Sequence, residues 1–69
     1  MSVLVNNINR IIREKGLKQK YVADKIGVSE TALSNYLSER SGIKADIVPD
    51  ICRALEVEPN ELYKMETAS

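Results

Sequence analysis

The 69-residue sequence has no histidine and one cysteine, Cys52. The first absence removes the usual catalytic base and a common metal ligand. The second rules out an internal disulfide and leaves no His or Cys pair to act as base and nucleophile. A single thiol does not make a metal site of ordinary ligand count, so no metal or other cofactor is expected. The carboxylates are scattered over helix surfaces and helix starts, and the chain is not expected to be an enzyme. Long apolar runs are missing as well. Val3-Leu4-Val5 is far too short for a signal peptide or a membrane span, so a cytoplasmic protein without a membrane partner is expected. There are no repeats, low-complexity tracts or interdomain linkers. Net charge is also absent, because ten Lys and Arg balance ten Asp and Glu.

The distribution of that charge is uneven. Residues 1–29 carry Arg10, Arg13, Lys15, Lys18, Lys20 and Lys25 against Glu14 and Asp24, while most of the acids lie in residues 30–69. A neutral protein can therefore still present one basic face. Sixty-nine residues make one domain, at a size where the core is small and compact helices with short loops are one route to stability.

Leu4, Val5, Ile8, Ile11, Ile12 and Lys15 follow the spacing of one helical face, which predicts a first helix from about Val3 to Lys15. Gly16 ends it, and Leu17 turns back to the core. A second helix is predicted over Gln19 to Ile26 and a third over Glu30 to Ser38, with Ser29 as its N-cap. Residues 39–46 read as a loop. Pro49 fits the first turn of a fourth helix, from Ile47 or Val48 to Leu55 or Glu56. Cys52 shares its buried face with Val48, Ile51 and Leu55. A fifth helix starts at Pro59, is capped by Glu58 and turns Leu62 and Tyr63 inward. Residues 65–69 are expected to fray. The fold class is all-α: five short helices with a core over about residues 4–63.

The segment from Gln19 to Leu37, QKYVADKIGVSETALSNYL, carries the most information. Val22, Ala23 and Ile26 share a face, Gly27 and Val28 make a tight turn, and Leu33, Tyr36 and Leu37 point inward from the next helix. Ala23 is small where the two helices cross closely, and Gly27 supplies the positive φ of the turn. These positions resemble the helix-turn-helix of the lambda-repressor/Cro superfamily, the XRE family of small regulators. That pattern has Gln first, a small residue fifth and Gly ninth, matched by Gln19, Ala23 and Gly27. Its apolar positions are matched by Val22, Ile26, Val28, Leu33 and Tyr36. The likeness continues through Ile51–Val57 and Pro59–Tyr63, and so covers about residues 4 to 63. Two positions depart from the pattern together. Ile12 and Leu37 stand where the family usually pairs Arg with Glu, which predicts that the two side chains meet.

The resemblance implies sequence-specific binding of a double-stranded DNA operator, as a transcriptional regulator of repressor type from a phage or mobile element. The third helix would enter the major groove. Ser29, Glu30, Thr31, Ser34 and Asn35 would read bases: Asn35 pairing with adenine, Thr31 with a base or the thymine methyl, Glu30 with cytosine N4. Glu30 equally suits the dipole at a helix N-terminus. Phosphate contacts are expected from Lys18, Gln19 and Lys20 at the start of the second helix, and from Ser38, Arg40 and Lys44 beyond the third. Gln19 resembles the family's phosphate-binding glutamine, which also braces the third helix. Related regulators are homodimers, with Val57, Pro59, Leu62, Tyr63 and Met65 as the candidate interface here. The acidic second half and Glu30 leave a different class open, in which the chain binds a partner repressor as an antirepressor or co-repressor, or acts like an antitoxin.

Overall fold

A computed structural model describes residues 2–65, and every regular element among them is helical. The elements are α1 (Val3–Lys15), α2 (Gln19–Ile26), α3 (Glu30–Leu37), a single 3-10 turn (Ala45–Ile47), α4 (Val48–Leu55) and α5 (Pro59–Leu62). The expected fraying of residues 66–69 lies outside the described residues. Helix α2 is the centre of the bundle, packing on α4 and α3, while α1 lies against α5 and α3.

Three helices end the same way. Gly16 (φ 65), Gly27 (φ 90) and Glu56 (φ 58) adopt the left-handed conformation directly after α1, α2 and α4. The N–H of the following residue then returns to a carbonyl five residues back: Leu17 to Ile12, Val28 to Ala23 and Val57 to Cys52, each at 3.0 Å. Closing the helix this way satisfies carbonyls that would otherwise be orphaned and turns an apolar residue back onto the core. Leu17, Val28 and Val57 all pack at its edge.

The core is made of aliphatic side chains from every helix. Ile8, Val22, Leu33, Ile51, Leu55 and Leu62 are at most 2% exposed. Ala23 is 1% exposed where α2 meets its neighbours, as its small side chain requires, and Cys52 is buried with them. Ile12 and Leu37 both lie half-buried against this core, and the Asn9 amide donates to the Leu37 carbonyl at 3.3 Å. Leu37 thus lies where α3 meets α1, and Ile12 packs against the same core.

Several expectations are corrected. Helix α3 stops at Leu37, with Ser38 as its C-cap. The segment expected as loop contains the 3-10 turn at Ala45–Ile47, which feeds directly into α4. Glu58 occupies the N-cap position of α5 but its side chain makes no capping hydrogen bond. Tyr63 does not turn inward: α5 ends at Leu62, and the tyrosine is 54% exposed.

Two polar residues of α1 do structural work. Asn7 is 4% exposed, and its amide donates to the carbonyls of Leu62 (2.8 Å) and Lys64 (2.9 Å). The Lys15 ammonium donates to the carbonyl of Leu55 at 2.7 Å, with Glu56 O at 3.4 Å, and so places a cation on the negative end of α4.

Candidate nucleic-acid interface

Helix α3 presents one uncovered ridge. Ser29 precedes it in extended conformation, and its Oγ accepts the Ala32 N–H at 3.0 Å. The oxygen is used as a cap while the hydroxyl proton remains able to donate outward. Glu30, Thr31 and Ser34 are exposed and Asn35 is half-buried, whereas Leu33 is 1% exposed on the opposite side. Glu30 in the first turn also complements the helix dipole. Among the described residues none covers Glu30, Thr31 or Ser34, and an α-helix with short polar side chains is of a size to fit the major groove, about 12 Å wide.

The tight turn at Gly27 joins the far end of α2 to α3, and the start of α2 is the second element of interest. Serines cap α1 and α3, Ser2 accepting the Val5 N–H at 3.0 Å, but Lys18 before α2 makes no side-chain cap. The first amide taken up inside α2 is that of Val22, bonded to Lys18 O at 3.1 Å. The N–H groups of Gln19, Lys20 and Tyr21 therefore stay outside the helical ladder, at the positive end of the dipole. Lys18 and Lys20 are exposed beside them and Gln19 is half-buried. Free N–H groups at the positive end of a helix dipole are chemically suited to an anion. Gln19 departs from the expected bracing role: the hydrogen bonds among the described residues include none from its amide to α3.

Beyond the other end of α3 the chain is wound tightly. Arg40 and Ser41 both donate their N–H groups to Asn35 O, at 2.9 and 3.3 Å, and Glu39 takes the left-handed conformation at φ 62. The Ser38 hydroxyl donates to Ser34 O at 2.9 Å, so it must give up that bond before donating to a phosphate. Arg40 and Lys44 are exposed. Glu39, whose charge works against phosphate binding, accepts the Ser2 N–H at 3.1 Å and is drawn toward α1.

The expected dimer residues divide. Leu62 is fully buried and is withdrawn from the set, because no partner can reach it without unfolding α5. Val57 is half-buried at the edge of the core, while Pro59, Tyr63 and Met65 are exposed. Reading the sequence missed Asn7 and Lys15. The signal for Lys15 was a lysine in step with the apolar face; Asn7 had only its position at the edge of that face.

Among the described residues no group of acids and Cys52 is arranged to hold a metal ion, and no helix is long and apolar enough to cross a membrane. A family model described as a helix-turn-helix domain matches residues 6–66. The chain belongs to this helix-turn-helix family, of the XRE-like DNA-binding type. Its fold is similar to that in the crystal structure of the clp gene regulator ClgR from C. glutamicum, with a TM-score of 0.81 at 20% identity, over 88% of this chain and 79% of that one. No curated protein sequence matches the chain significantly.

Proposed function

We propose that this protein is a sequence-specific repressor that binds a double-stranded operator as a homodimer. The observation carrying the proposal is the pairing of an uncovered polar ridge on α3 with an uncapped, lysine-flanked N-terminus of α2. In this reading Glu30, Thr31, Ser34 and Asn35 meet base edges, with the Ser29 proton directed to the same groove. Lys18, Gln19 and Lys20 hold phosphates on one side, and Arg40 and Lys44 on the other. All 69 residues act as one module on one half-site. Two copies must then place their α3 helices about 34 Å apart on one face of the duplex. Pro59, Tyr63 and Met65 offer the apolar surface for that pairing.

The test is titration against promoter fragments at several salt concentrations. Lys20→Ala should weaken binding to every sequence and make the slope of log K against log salt shallower by about 0.9. Gln19→Ala should weaken all sequences with little change in slope, since the amide is neutral. Asn35→Ala should lose roughly 1–3 kcal/mol of discrimination at one base pair. Sedimentation at several concentrations reads the dimer.

A second reading draws on Glu30 at the head of the ridge and on the acidic residues of the second half. There the same ridge binds a partner repressor and modifies it. Failure to retain any DNA at low salt, together with capture of such a partner, would decide for this reading.

A further inference from the structure

The outer face of α1 is not accounted for by the contacts above. Asn6, Asn9, Arg10 and Arg13 follow one another at the spacing of a single helical face. They border a shallow concavity whose floor includes Ile12 and Leu17. Gly16 and Leu17 line one end of it, and the chain passes from them to Lys18 and the open start of α2. Toward α3 it is bounded by Asn9, whose amide is bonded to Leu37 O. The concavity thus lies on α1, next in the chain to the start of α2 and, through Asn9, beside the end of α3.

The cations of α1 are committed unequally. Arg10 is bound to Glu14 at 3.1 Å, which also neutralises the one acid of this helix. Lys15 is spent on the carbonyls at the end of α4. Arg13 is exposed and has no ion-pair or hydrogen-bonding partner for its side chain among the described residues. Its place in the last turn favours α1 through the helix dipole, but that effect is shared with Lys15 and does not require a concave, amide-lined surface.

We propose that Arg13, with Asn6 and the second amide proton of Asn9, seats a further backbone phosphate of the DNA strand bound at the start of α2. The inference rests on the DNA-binding reading and lengthens its phosphate track along α1. A guanidinium has the donor geometry for two phosphate oxygens, and asparagine amides add neutral donors beside it. Ile12 adds an apolar wall beside Arg13.

The experiment measures binding of the full chain to a mixed-sequence DNA duplex, since the contact carries no base information. Arg13→Gln should make the salt slope shallower by about 0.9 and weaken binding equally on operator and unrelated duplex. Asn6→Ala should weaken binding without changing the slope. Lys25→Gln removes one charge away from the concavity, near Tyr21, and should leave the slope as it was. Thermal unfolding of each variant reads the dipole effect separately. An unchanged slope for Arg13→Gln, with Lys20→Ala still shallower, overturns the α1 contact and leaves the DNA-binding reading intact. An equal change for Lys25→Gln also overturns it, because the effect would then be one of net charge. A wild-type protein that binds no duplex removes both.

Discussion

At the scale of single residues, Cys52 is the most sheltered reactive group. Burial, followed by the charge of Glu58, pushes its thiol above the ordinary value, and a backbone hydrogen bond works the other way. The protonated thiol is therefore favoured in the folded state. Stability from this residue is complete below the unfolded thiol's pKa, about 8.5, and is lost as pH rises toward the folded value. Chemical unfolding between pH 7 and 10 should show a decline that Cys52→Ala reduces, on top of a lower starting stability from the small cavity. A thiol reagent at pH 7 should label the native protein far more slowly than the unfolded one. Asn7 and Lys15 make the complementary point. Each is a polar side chain next to an apolar stripe, and each finds main-chain carbonyls more than thirty residues away. Periodicity marks where such residues lie but not what they reach, because their partners come from tertiary packing.

Among the elements, legibility followed the strength of local signals. Helices α1 and α2 have their expected bounds because glycine ends each and an apolar face runs the length of each. Helix α3 lacks a glycine stop, and it ends at Leu37, one residue before the expected Ser38. The 3-10 turn at Ala45–Ile47 has neither capping side chain nor apolar repeat, so nothing local announced it. The α3 ridge was legible as the outward side of a helix, whereas the α1 concavity depends on how Leu17 folds back and was not. Glu56 offers a test at this scale. It closes α4 in the left-handed conformation where α1 and α2 use glycine. Glu56→Gly should raise stability by roughly 1 kcal/mol, relieving the left-handed cost of a residue with a Cβ. Equilibrium denaturation would measure it; a loss instead of a gain would mean that the Glu56 side chain contributes more than its backbone costs.

The whole molecule is organised by a division of charge. Six of its ten cations fall within the first 29 residues, which supply α1, α2 and the turn into α3. Most acids follow, on the loop after α3 and on α4, α5 and their connections. Net neutrality conceals this uneven distribution along the chain. The fold closes on itself as well. Leu62 is fully buried in a segment whose carbonyls are held by Asn7, fifty-five residues earlier in the chain. A chain stopped after Glu61 should lose about 2–5 kcal/mol from the vacated Leu62 site, and more from the stranded Asn7 amide. Against the roughly 5–15 kcal/mol that holds a small domain together, thermal unfolding followed by circular dichroism should show a markedly lower midpoint. The amide of Asn7 acts as a drawstring, tying the beginning of the thread to its end. The last turn therefore cannot peel away on its own, and its loosening should register in amide exchange at the opposite extremity, along the first helix.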